Sequence, residues 1–323
     1  MRLAAGFVAY NLVLAALGMA LLYAAGLVTL RPARLATAAG AALLTGAAVA
    51  GVLAGIALTA GLTLHAASDT AVLLVLTAAL AVVGRLRGPV REDATGFEPS
   101  RAATVVAALV ALFVVIQGGL SRHVAPAWDA AHNWYLKAVA LGDHASLTGT
   151  MLFSDTIFTP SHQTYPLVHP ALGGLLFQYI GNDESGRLVS ELWILLGATV
   201  LAAPFLAGGG RRGWMALIPF AVAAGGAANQ DLLRGDADLT MACFLAVGAL
   251  ALGRWLDDGP PGLLVPAVAC LGAAANTKNE GLAFALGTAV AAAAVALVVR
   301  RRRAPLLVDG GVALAALIAP WLI

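Results

Sequence analysis

Residues 126–137 read Pro126-Ala-Trp128-Asp129-Ala-Ala-His-Asn-Trp134-Tyr135-Leu-Lys137, the first place where a mostly apolar chain becomes polar, aromatic and charged together. The run before it, 101–120, carries no charge beyond Arg101. A helix needs about 20 apolar residues to cross a bilayer. Residues 101–120 therefore read as a span, and Asp129 falls just beyond a membrane face. Strands of a membrane barrel would alternate polar and apolar residues; this run does not. The stretch and its flank indicate an all-α membrane protein.

The rest of the chain agrees. Its 323 residues are 60% hydrophobic and 11% charged, with a mean hydropathy of +0.88, whereas a soluble domain carries about 25% charge. Ala, Leu, Val and Gly dominate, as in packed membrane helices whose small residues let backbones approach. The two cysteines, Cys243 and Cys270, lie in apolar runs without metal-ligand spacing and read as buried small hydrophobes. The first apolar run is too long for the h-region of a cleavable signal peptide.

Apolar runs predict spans near 5–29, 36–62, 70–86, 101–120, 187–207, 213–229, 236–255, 262–277, 281–299 and 306–323. The fold class is thus an all-α polytopic membrane protein with about ten transmembrane helices. A shorter apolar piece, 166–180, starts at Tyr165-Pro166 and reads as a juxtamembrane or re-entrant helix within a large external loop, 121–186. Charge supports that reading. With 166–180 not crossing, the inside loops hold Arg31, Arg34, Arg85, Arg87, Arg91, Arg101, Arg211, Arg212, Arg254 and Arg300 to Arg303, which is 13 of the 19 basic residues. The positive-inside rule favours this arrangement, with the amino terminus outside. Residues 1–100 read as an amino-terminal bundle of three spans and a basic cytoplasmic connector, and 101–323 as the module carrying the polar motifs. The chain ends inside an apolar run, Pro320-Trp321-Leu322-Ile323, the pattern of a fragment or an abbreviated form.

In this topology the polar segments share the outer face. Trp128-Asp129 opens the first. A carboxylate at an interface is costly unless solvated, paired or used. If 130–141 is a surface helix, Trp134 and Ala138 face lipid with Lys137 beside them. The alternative is an aromatic belt with an exposed acid. His162-Gln-Thr-Tyr165-Pro166-Leu-Val-His169-Pro170 comes next; its histidines read either as ligands or as polar loop residues, and a short helix is expected to begin near Pro166. Asn229-Gln-Asp231-Leu-Leu-Arg234-Gly-Asp236-Ala-Asp238 precedes a span. Asp236 and Asp238 suit a helix amino terminus, and Arg234 suits a bidentate grip on phosphate. Asn276-Thr277-Lys278-Asn279-Glu280-Gly281 joins two spans, either as a self-neutralised turn or as a lysine held for an anion. Arg187 and Glu191 are spaced for an i,i+4 ion pair.

These segments, in this order, resemble the GT-C superfamily of integral-membrane glycosyltransferases. The likeness is to bacterial relatives of the dolichyl-phosphate-mannose protein mannosyltransferases and the lipid A aminoarabinose transferases, glycosyltransferase family 39. It rests on Trp128-Asp129, on Tyr165-Pro166 with His169-Pro170, on Arg187, on Asp236-Ala-Asp238-Leu239 and on Thr277-Lys278-Asn279-Glu280-Gly281, and covers about 120–323. The family's Asp-Glu pair is Asp129-Ala130 here, and the second proline of its Tyr-Pro-Pro is Leu167.

The resemblance implies transfer of a sugar from a polyprenyl-phosphate-linked donor to a cell-envelope glycan, lipid or protein acceptor. The implied place is the external face of a bacterial cytoplasmic membrane, and no nucleic acid is involved. It implies Asp129 as general base. It implies substrate contacts from Trp128, Lys137, Tyr165, His169, Arg187, Arg234, Asp236, Asp238, Lys278 and Glu280. It implies no certain cofactor; some members use a divalent metal, for which Asp129, His162, His169 and Asp236 are the candidate ligands. Two other functions fit the composition. One is a transporter or flippase for a lipid-linked anion, which would carry polar residues in mid-span. The other is a noncatalytic scaffold of the same fold.

Overall fold

The computed structural model describes residues 2–88, 101–120, 128–153, 155, 165–181, 183–208, 211–217, 236–257, 259–299 and 304–318. Among them the regular elements are helical. They are α1 (Arg2–Ala24), α2 (Pro32–Thr59), α3 (Ala66–Leu86), α4 (Arg101–Leu120), α5 (Leu136–His144), α6 (Val168–Ile180), α7 (Ser185–Ala207), α8 (Arg211–Met215), α9 (Ala237–Leu256), α10 (Leu264–Ala275), α11 (Asn279–Val298) and α12 (Ala304–Ile318). Short π and 3-10 turns lie between some of them.

Seven of the described helices are long and apolar enough to cross a membrane: α1, α2, α3, α4, α7, α9 and α11. Two shorter apolar pieces, Pro261–Ala275 and Asp309–Ile318, accompany them. Most of the expected span at 213–229 lies outside the described residues. The outer helices present apolar side chains outward: Val72, Leu74, Val75, Val82 and Val83 on α3, and Leu109, Leu112 and Phe113 on α4. An exposed surface of this kind suits a lipid environment.

The core does not stop at residue 100. A single cluster of buried residues runs from Leu14, Leu17 and Leu44 on α1 and α2 to Leu176, Phe244 and Leu271 on α6, α9 and α10. Helices α2 and α7 lie at its centre. Close approach of α1 and α2 depends on glycine. A Cβ on Gly46 would overlap the Leu14 carbonyl, and one on Gly18 the Ala42 carbonyl. Neither neighbour can move, because both are helix backbone. Gly46→Leu is therefore expected to cost at least the ~1–3 kcal/mol of an overpacked core, seen as a lower unfolding midpoint in detergent; an unchanged midpoint would refute this close contact.

Helix α6 begins at Val168, two residues beyond the expected Pro166. Its 13 residues extend about 20 Å, short of a ~30 Å hydrocarbon layer. It is buried against α1, α2 and α5.

The two ends of the bundle differ in charge. At one end Val168 N–H donates to the Asn276 carbonyl at 3.0 Å, Leu64 N–H to the Ala145 carbonyl at 2.7 Å, and Ala66 N–H to Gln178 at 2.7 Å. These bonds gather the carboxy ends of α2, α5 and α10 with α6 and the start of α3. At the other end Arg87 donates to the Ala24 carbonyl at 2.7 Å, Arg212 pairs with Asp257, and Arg254 packs against Gly208. Most of the described arginines belong to this second end, and the polar motifs belong to the first.

Candidate functional site

The site is built outward from Asp129. Residues 128–129 are helical and lead into a π turn, Ala130–Tyr135, which runs directly into α5. A π turn closes i→i+5 hydrogen bonds and often marks a functional position. Here it brings residues four and five places on over the same carboxylate. Asn133 Nδ2 donates to Asp129 Oδ1, and Trp134 Nε1 donates to Oδ2 at 3.0 Å. The carboxylate thus has a fixed orientation while remaining half-buried.

This corrects the expectation that Trp134 and Ala138 face lipid. Both are fully buried, and so is Lys137. The reason is α6: its Gly173 and Gly174 let α5 approach closely, with Ala138 against Gly173 and Leu141 against Gly174. The exposed aromatic of the segment is Trp128, 73% accessible and stacked on His132 at 4.6 Å between ring centroids.

Lys137 Nζ lies 5.4 Å from the Trp134 ring centroid and 5.6 Å from that of Tyr165. The rings themselves are 5.5 Å apart, so the ammonium is held by two aromatic faces. Burial pushes its pKa down to about 8, and the Asp129 charge partly opposes that shift. Between about pH 8 and the ordinary lysine value the unfolded chain binds more protons than the folded one, so folding stability rises with pH across that window. At 1.36 kcal/mol per unit the rise is about 3 kcal/mol. Denaturant unfolding from pH 7.5 to 10.5 should show this rise in the wild type and lose it in Lys137→Met; parallel curves would refute it.

A second cation comes from the far end of the chain. Lys278 Nζ donates to both oxygens of Asp238 at 3.0 Å, and Glu280 stands 3.9 Å away. Burial works against its charge, but the bonds and charges of Asp238, then Glu280 and Asp129, outweigh it and raise its pKa. The turn is therefore not simply neutralised by Glu280; the shorter contact is to α9. Asp129 lies in the electrostatic field of both Lys137 and Lys278.

His169 forms the floor. Its Nδ1 meets Thr240 Oγ1 at 3.0 Å, and its ring meets Trp134 edge-on at 5.8 Å. Together these contacts unite Asp129, Lys137, Tyr165, His169, Asp238 and Lys278 from four separate segments.

Other expected members stand elsewhere. Arg187 pairs with Glu184 at 3.2 Å. Glu191, its expected partner, turns into the bundle and accepts from Asn11 Nδ2 at 2.9 Å. The physical reason is helix phase: position 191 shares the inward face of α7 with Leu188, Leu192 and Leu195. Asp236 sits at the N-cap position of α9, buried, but its side chain makes no capping bond. Arg234 and His162 lie outside the described residues. Among the described residues no group of three His, Cys, Asp or Glu is placed to hold a metal ion; His169 and Asp236 do not form such a set.

Two contributors were not singled out from sequence. Asn133 was signalled by its i,i+4 spacing from Asp129. Thr240 carried no signal beyond its place one turn into α9. No protein-family model, curated protein or solved structure matches this chain.

Proposed function

We propose that the chain is a GT-C-type glycosyltransferase that moves a sugar from a polyprenyl-phosphate donor to an acceptor hydroxyl at the external face of the membrane. The observation that carries the reading is the chain of contacts that gathers Asp129, Lys137 and the Asp238-held Lys278 around Trp134, His169 and Thr240. The surroundings of the two lysines differ: one lies between aromatic rings and the other is held by a carboxylate. Group transfer with an anionic leaving group needs both a base and cations close together.

In this reaction the acceptor oxygen forms a bond to the anomeric carbon as the bond from that carbon to the phosphate oxygen breaks. The acceptor proton passes to Asp129. The departing phosphate gains negative charge, which Lys278 stabilises. An ammonium has three N–H donors; Asp238 takes two and orients the third. Lys137, with its pKa near 8, adds a second positive charge under the ring of Tyr165. Trp128 offers an exposed aromatic face to an acceptor sugar, Tyr165 lines the donor's entry from the bilayer, and Arg187 is a further cation for the departing phosphate. Glu280 stands beside Lys278 at 3.9 Å.

The test is reconstitution in vesicles with a labelled polyprenyl-phosphate sugar. Asp129-dependent cleavage of the sugar–phosphate bond supports the proposal. Movement of intact donor across the bilayer would replace it with a transporter, and binding without either event would replace it with a scaffold.

A further inference from the structure

Beneath the site, inside the helix bundle, Glu191 lines a small cavity with Tyr10, His169, Thr240, Ala47 and several leucines. Its volume is about 10 Å³, the scale of one water molecule. Glu191 is 5% exposed. Its Oε2 accepts from Asn11, while its Oε1 has no hydrogen-bond partner among the described residues. An ionisable side chain so placed in a span is costly and usually functional.

The surroundings of Glu191 limit what can balance it. Helix α1 brings Tyr10, whose hydroxyl donates to the Leu172 carbonyl at 3.2 Å, and Asn11. Helix α6 brings His169, with Tyr179 edge-on to Tyr10 at 5.6 Å. Helix α9 brings Thr240, and Cys243 one turn further on. Helix α2 contributes Ala47, and the ionisable side chains of α2 and α4 are Arg34 and Arg101 at their far ends. On α7 itself Arg187 is held by Glu184. Among the described residues no lysine or arginine pairs with Glu191. The imidazole of His169 is the one basic group on its cavity.

We propose that Glu191 and His169 form a buried acid–imidazole pair, bridged by one water in this cavity, that sets the orientation of the His169 ring. Whichever partner carries the shared proton, the pair has no net charge, which a membrane interior tolerates far better than a lone carboxylate. The ring's other nitrogen is directed at Thr240, so the pair fixes the tautomer as second-sphere carboxylates do elsewhere. His169 then presents a defined edge to Trp134, which donates to Asp129. Glu191 is thus a positioning residue for the proposed base, and this role rests on the glycosyltransferase reading. The pair itself does not.

The experiment is nitrogen NMR of histidine-labelled full-length protein in lipid nanodiscs, titrated with pH, with sugar transfer measured on the same samples. Glu191→Gln keeps an acceptor for Asn11 but cannot share a proton; the ring-nitrogen shifts of His169 should move away from the wild-type pattern toward those of a buried neutral imidazole, and Glu191→Asp should restore part of the wild-type behaviour. Ala47→Val, which adds two carbons at the cavity wall, should displace the water, give the same shift as Glu191→Gln, and serves if that variant does not fold. Wild-type ring-nitrogen shifts of His169 that match those of Glu191→Gln at every pH would overturn the pair. Altered NMR with no transfer in any sample would leave the pair standing and remove the glycosyltransferase. Normal transfer with identical His169 titrations would do the reverse.

Discussion

Asp129→Asn is expected to lower sugar transfer by about 10²–10⁴-fold, the usual worth of a positioned general base. In the proposed reaction the loss should fall on kcat rather than on donor affinity, because the proposed phosphate contacts come from other side chains. The environment of Asp129 sharpens the prediction. Both its oxygens accept from N–H donors, Asn133 and Trp134. An amide has one acceptor oxygen, so one of those donors would face an NH2 group. Trp134→Phe separates the two effects, since it deletes one donor and leaves the acid in place. Transfer should fall far less in Trp134→Phe than in Asp129→Asn. Equal losses would mean that the aromatic wall matters and the carboxylate does not; wild-type turnover in Asp129→Asn would remove Asp129 from the chemistry.

The second large effect is expected at Lys278. Its removal in Lys278→Ala should lower kcat by about 10²–10³-fold, in line with loss of one preorganised charge at a developing anion. The structural cost should be small by comparison. Its partner Asp238 is about a third exposed, at 32%, and water can replace the lost ammonium there. Unfolding midpoints should therefore change little while turnover collapses. Lys278→Arg keeps charge but replaces a compact ammonium with a planar fork, so it should recover only part of the rate. The two lysines also separate by pH. Lys137 loses its charge above about pH 8, whereas Lys278 is shifted the other way by Asp238. A fall in transfer above pH 8 that disappears in Lys137→Met, with Lys278→Ala retaining it, would assign that limb to Lys137.

How much of this was legible in the chain depends on the residue. The spans at 101–120 and 187–207 could be read to within two residues because hydropathy over a 20-residue window is a local property. The short helix after Tyr165-Pro166 was legible from proline and length together. Asp238 and Lys278 were each visible as charges at a helix end, but nothing in either segment said that they bind one another 40 residues apart. Lys137 was read as a surface cation because helical spacing from Trp134 and Ala138 leaves open which way that face turns. The glycines of α6 settle it, since they admit α5 closely and bury all three. Glu191 was assigned to Arg187 by spacing alone; the inward phase of α7 sends it to Asn11, 180 residues away.

From the sequence by itself follow an apolar all-helical protein and the concentration of its polar motifs at one end, opposite most of its arginines. Both are sums over local composition, and lipid imposes them whatever the packing. The tertiary structure alone decided which polar group meets which: the π turn that brings Asn133 and Trp134 onto Asp129, the aromatic clamp on Lys137, and the turning of Glu191 toward Asn11. Those choices depend on the rotation of each helix about its own axis. That rotation is set by close contacts with segments distant in the chain, such as Ala138 on Gly173, and no local pattern encodes it.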